Sequence, residues 1–141
     1  MNRNACAVWK GNLRGGEGTL STGSGVLSEA QYSYGTSFAE GIGTNPDELI
    51  AASLSSCFTL ALSNELGLGG FHPERIETIA TATLEDSAAG WTVTRIQLDV
   101  HANVPDASQA RFIDAAIAAK TSSPIARLLK TNISMTATLH L

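Results

Sequence analysis

The stretch LIAASLSSCFTLALSN, Leu49 to Asn64, carries no charge, yet a thiol, Cys57, sits in its middle. Its start is well marked. Asn45 suits a helix cap, Pro46 suits the first helical position, and Glu48 completes an N-x-x-E spacing like that of a capping box. Its stop is GLGG, Gly67 to Gly70. The spacing predicts one helix over Pro46–Leu66, roughly 30 Å long. Ala51, Ala52, Ser53, Ser55 and Ser56 are spread around its circumference, and charged residues stand only at its ends. A helix that is apolar or small all round is buried all round, which predicts a central helix covered on every side. The serines make the run too polar for a membrane span of about 20 apolar residues. Cys57 reads in two ways. It is either a small hydrophobe in a core or a reactive sulfur. It lies twelve residues beyond Asn45, so the helix terminus does little for a thiolate. Reactivity requires a nearby cation, and its own helix offers none.

The 141 residues suit one domain, 1–141, with 43% hydrophobic and 16% charged residues. A net charge of −4 and a pI near 5.2 argue against nucleic acid or an anionic membrane as partner. The opening MNRNACAVWKGN has no apolar core of a secretory leader. Two cysteines without a spacing motif imply a reducing, cytoplasmic setting rather than a disulfide scaffold. No Cys6–Cys57 bridge is expected.

Outward from the central helix, ACAVWKGN, GEGTLST and AQYSYGTSF read as short strands separated by glycine-rich turns. Arg14 is the one long cationic side chain of the GNLRGGEG loop. ERIETIATATLED and WTVTRIQLDVHANV, parted by DSAAG, predict a hairpin. SQARFIDAAIAAK has helical spacing; SSPIARLLK begins a short third helix, capped by Ser123 with Pro124 first; NISMTATLHL alternates as a half-buried strand. The order βββ–α–ββ–αα–β is an α+β pattern with no βαβ alternation. So few strands cannot cover the central helix, so the expected assembly is a homodimer with two such helices packed together.

No cofactor or metal is expected. His72, His101 and His140 lack metal-ligand spacing, and His140 falls on a polar strand face. GSG and GLGG read as a turn and a helix stop, and no G-x-S-x-G occurs.

GTNPDELIAASLSSCFTLAL (Gly43 to Leu62) resembles the helix signature of the OsmC/Ohr family of thiol-dependent hydroperoxide reductases. WKGNLRGGEGTLSTGSGVL and AAKTSSPIARLLKTNISMTATL resemble its flanking segments, most like the OsmC branch. The resemblance runs through the whole chain in order. It implies an α+β intertwined homodimer with two central helices back to back. It also implies a peroxidatic cysteine at Cys57 that attacks hydroperoxide and becomes a sulfenic acid, and an acid at Asp47, beside Glu48, that orients an arginine. Two of the family's groups are missing. Ser123 occupies the place of the second, disulfide-forming cysteine, and Ser37 occupies the OsmC-branch arginine position in TSF. Arg14, in the loop that carries the Ohr-branch arginine, is either the substitute cation or a solvated loop residue. The resemblance thus implies reduction of organic or hydrogen peroxides through Cys57, with an external thiol as reductant. The other reading is a catalytically degenerate module binding a hydrophobic small molecule at the dimer interface. A cysteine hydrolase lacks a recognisable histidine partner.

Overall fold

The structure, a computed structural model, describes residues 1–38 and 41–141. The chain divides into two compact units, Met1–Leu49 and Ile50–Leu141.

The first unit is an antiparallel sheet of β1 (Ala5–Lys10), β2 (Glu17–Thr22) and β3 (Ala30–Tyr32), in that order. Nearly all of β1 is exposed on both faces. Trp9 and Tyr32 both lie opposite Gly18 across their strand pairs, with ring centroids 5.8 Å apart. A Cβ on Gly18 would meet the Tyr32 ring at 2.6 Å and the Trp9 ring at 2.8 Å, so only glycine admits both aromatics.

The strand expected over Ala30–Phe38 is corrected. It ends at Tyr32, and Tyr34–Phe38 form a short helix, α1. The cause is local. The Thr36 N–H donates to Ser33 Oγ at 3.3 Å and the Ser33 N–H donates to Thr36 Oγ1 at 3.1 Å, a reciprocal cap that overrides the β propensity of the tyrosines. The Thr36 hydroxyl also lies 2.8 Å from the Thr44 carbonyl.

The long helix α2 (Pro46–Leu68) ends two residues beyond the expected Leu66. Asn45 caps it, its Oδ1 accepting from the Glu48 N–H at 2.8 Å. Glu48 does not close the expected reciprocal box; its carboxylate accepts from the Thr44 hydroxyl at 3.0 Å. At the other end Gly70 takes a φ of +82°. The Phe71 N–H reaches the Leu66 carbonyl at 2.9 Å and the Gly70 N–H the Gly67 carbonyl at 3.0 Å, a Schellman stop.

In the second unit β4 (Arg75–Ser87) and β5 (Gly90–Asn103) form the expected hairpin, with a bulge at Thr83/Leu84. Then come α3 (Gln109–Ser122), α4 (Pro124–Leu128) and β6 (Asn132–His140). The expectation of no βαβ unit is corrected: β6 pairs in parallel with β5, so α3 and α4 form one crossover inside an otherwise antiparallel pattern. Ile96, Leu98, Val100 and Ala102 of β5 face a core shared with Leu54, Phe58, Leu62 and Leu66 of α2 and Phe112, Ala116 and Ala119 of α3. The four α2 residues are spaced i, i+4, i+8, i+12, one stripe along the helix. Each contributes about 1.5–3 kcal/mol by burial, so this stripe anchors the unit.

Within one chain, only that stripe of α2 is fully covered. Ala52, Ser53 and Ser56 are exposed, and Leu60 and Leu68 are 74% and 77% exposed. By length and composition α2 is long and apolar enough to cross a membrane, which the serine content had argued against. One stripe of it, Leu54, Phe58, Leu62 and Leu66, is fully buried in the core of the second unit.

Candidate active site

Cys57 stands on α2 beside Phe58, which is wholly buried, and is itself half-buried. The hydroxyls around it are committed elsewhere. Ser55 and Ser56 donate to the Ala52 carbonyl at 3.1 and 2.8 Å, turning back onto their own helix. Thr59 pairs with the Ser55 carbonyl and with Thr78 of β4, each at 2.8 Å. Among the described residues Cys57 takes part in no hydrogen bond or ion pair, and both Cys6 and Cys57 are free thiols. Cys57 is therefore a half-buried free thiol near the middle of α2.

The other residues singled out by sequence lie as follows. Asp47 is half-buried in the first turn of α2. Ten residues of helix separate it from Cys57, about 15 Å along the axis. Arg14 is exposed in the turn after β1 and enters no ion pair among the described residues. That turn is shaped by Asn12, whose carbonyl accepts from the Gly16 N–H at 2.8 Å and whose side chain accepts from the Gly15 N–H at 2.7 Å. Ser123 is fully buried. It ends α3 through its N–H to the Ala119 carbonyl at 2.9 Å and starts α4, its Oγ accepting from the Ala126 N–H at 3.5 Å. A buried hydroxyl thus stands at the junction of α3 and α4.

Ser37 opens onto a hollow of about 260 Å³ that sequence reading missed. It is lined by Trp9, Leu13, Tyr32, Tyr34 and Pro46 besides Ser33 and Ser37. The available signal was the pair of aromatic strands flanking a glycine, legible only once their register is known. Among the described residues no three His, Cys, Asp or Glu side chains converge as a metal site.

The sequence and this α+β arrangement match a family of known proteins. The model of the OsmC-like protein family matches residues 39–138. The peroxiredoxin OsmC of Escherichia coli K12 is 38% identical over 135 residues, 96% of this chain and 94% of that one. Among solved structures, an OsmC-like protein from Mycoplasma pneumoniae superposes with a TM-score of 0.80 at 13% identity, over 100% of this chain and 99% of that one. An OsmC-like protein of unknown function from Vibrio cholerae does so at 0.79 and 18%, over 98% and 99%. The chain belongs to the OsmC family.

Proposed function

We propose that this protein is a thiol-dependent peroxidase in which Cys57 reduces organic or hydrogen peroxides. The observation carrying this reading is the half-buried, unpaired Cys57 on the helix of a chain 38% identical to a peroxiredoxin OsmC. The thiolate attacks one peroxide oxygen. The O–O bond breaks, the departing oxygen takes a proton as alcohol or water, and Cys57 becomes a sulfenic acid. An external thiol then condenses with it, releasing water and leaving a mixed disulfide. A second thiol reduces that disulfide and restores Cys57. Ser123 supports the external route, because a serine cannot form the intramolecular disulfide. Arg14 is the proposed cation favouring the thiolate, and Asp47 the proposed anion holding that cation.

One chain does not complete this arrangement. About 15 Å of helix is too far for one guanidinium to touch both Asp47 and Cys57 within about 4 Å. In an antiparallel pair of α2 helices crossing near Ala52 and Ser53, the partner's Asp47 comes level with Cys57. Ala52, Ser53 and Ser56 are exposed and small, which permits two backbones to approach closely there. We therefore place the function in an intertwined homodimer, each chain contributing one OsmC-like domain. It works in the cytoplasm, where small thiols keep Cys57 reduced, without nucleic acid or membrane as partner. Hydroperoxide consumption with a panel of mono- and dithiols tests the reading. Wild type turns over and Cys57→Ser does not; equal rates in the two overturn it.

The aromatic hollow at Trp9, Tyr32 and Tyr34 favours a second reading, a module that binds a hydrophobic small molecule. Ligand binding that is tight in both wild type and Cys57→Ser, with no peroxide turnover, would select it.

A further inference from the structure

The outer face of the β4–β5–β6 sheet carries a second chemical grouping, separated from Cys57 by the sheet itself. α2 packs on the inner face, through Ile96, Leu98 and Val100; Asp99 and His101 alternate with these and point the other way. The parallel register sets His101 opposite Thr138 and Asn103 opposite His140, so the two imidazoles meet on a diagonal. Nδ1 of His101 and Nε2 of His140 are 3.0 Å apart. The rings are 24° from coplanar with centroids 5.3 Å apart, so they meet end to end rather than face on face.

The far nitrogen of His101, Nε2, lies 3.5 Å from Asp99 Oδ1. The Asp99 carboxylate thus stands beside the His101 ring nitrogen that does not face His140. Glu77 is the cross-strand neighbour of His101 and is paired with Arg75 at 2.8 Å. His140 also borders a groove of about 630 Å³ whose rim includes Glu74 and Asp106. Asp99 and the Arg75-paired Glu77 flank the His101 ring, and Glu74 and Asp106 line the groove that His140 borders.

We propose that His101 and His140 form a chelating pair for a divalent transition-metal ion. Metal–imidazole bonds of about 2.0–2.1 Å let one ion reach both nitrogens, which stand 3.0 Å apart. Turning the two rings about their Cβ–Cγ bonds swings both lone pairs from each other onto one ion. The ion replaces the bridging hydrogen: that proton leaves to solvent while the ring that carried it gains one at its other nitrogen, so both imidazoles bind as neutral ligands. The freedom exists, since the His101 side chain is 32% exposed and His140 is exposed. Asp99 is the positioning residue. Its carboxylate stands 3.5 Å from the far nitrogen of His101 and orients that ring, and water fills the open positions of the ion.

Calorimetric titration of the full chain with Ni(II) reads the site without oxidising the thiols. Affinity should fall at least tenfold in His101→Gln and in His140→Gln, about threefold in Asp99→Asn, and not at all in His72→Gln. Cu(II) bound to wild type should show an electron paramagnetic resonance spectrum split by two imidazole nitrogens. In wild-type protein alone, Ni(II) should broaden nuclear resonances around His101 and His140 first. Wild-type affinity in both glutamine variants, or broadening centred elsewhere, overturns the assignment. None of these readouts depends on peroxide turnover.

Discussion

Replacing Leu60 by alanine separates a helix that ends at solvent from one that continues into a second copy. Leu60 is 74% exposed in one chain, whereas Leu62, two residues away on the same helix, is completely buried. Leu62→Ala removes buried methyl groups from the core and should lower unfolding free energy by about 2–5 kcal/mol at any protein concentration. Leu60→Ala in an isolated chain is a surface change worth no more than about 0.5 kcal/mol. Buried between two α2 helices, the same change costs about 2 kcal/mol or more per chain. Stability then also depends on concentration, and a hundredfold dilution removes about 2.7 kcal/mol. Urea unfolding of wild type, Leu60→Ala and Leu62→Ala, followed by far-ultraviolet circular dichroism at two concentrations, gives both quantities. Native mass should be twice the 14.7 kDa of one chain. A silent Leu60→Ala, with midpoints unmoved by dilution, refutes the paired-helix reasoning.

Arg14→Ala should slow alkylation of Cys57 near neutral pH; an unchanged rate makes Arg14 an ordinary loop cation. Peroxide should carry wild-type Cys57 to sulfenic and then sulfinic acid, while Ser123→Cys should trap a Cys57 disulfide and resist over-oxidation, both read by intact-mass and peptide analysis. A wild-type thiol unmodified by millimolar peroxide would make Cys57 a packing residue. Gly18→Ala should destabilise the first unit by about 1–3 kcal/mol through the Trp9 and Tyr32 rings, with a change in tryptophan emission; unaltered emission and stability would count against that close approach. Arg75 holds the Glu77 carboxyl below the ordinary glutamate value, first by its hydrogen bond and then by its charge. That lowering favours the fold above the ordinary glutamate range, and the benefit fades as pH falls through the lowered value. In Arg75→Ala the Glu77 resonance should titrate at higher pH; the same midpoint as wild type would contradict the cause.

What could be read from sequence was what neighbours along the chain decide. Asn45, Pro46 and the glycines through Gly70 bound α2 because capping and stopping are settled within a few residues. The strict alternation from Ile133 to Leu139 marked β6 for the same reason. The short helix α1 escaped because Tyr32, Tyr34 and Phe38 advertise a strand, while the Ser33–Thr36 exchange that overrides them spends only two small hydroxyl side chains. Farther contacts were illegible. The hollow at Trp9 and Tyr32 and the meeting of His101 with His140 both depend on strand register, and residues 39 places apart carry no local mark of it. Cys57 was singled out by its neighbours and by resemblance, while its committed serines needed coordinates.

The parallel pairing of β6 with β5 has a consequence for how the polypeptide is made. The β4–β5 hairpin closes through a tight turn and precedes α3, α4 and β6 in the chain. The remaining edge of β5 must then wait for the whole of α3 and α4 to emerge before β6 can dock beside it. During that interval a row of unpaired backbone groups flanks Ile96, Leu98 and Val100, a template for strands of other nascent chains. Slow codons or a weakened α3 would lengthen the exposure. Loss of yield to insoluble material, rather than loss of activity per folded molecule, is the phenotype expected of substitutions at Phe112 and Ala116.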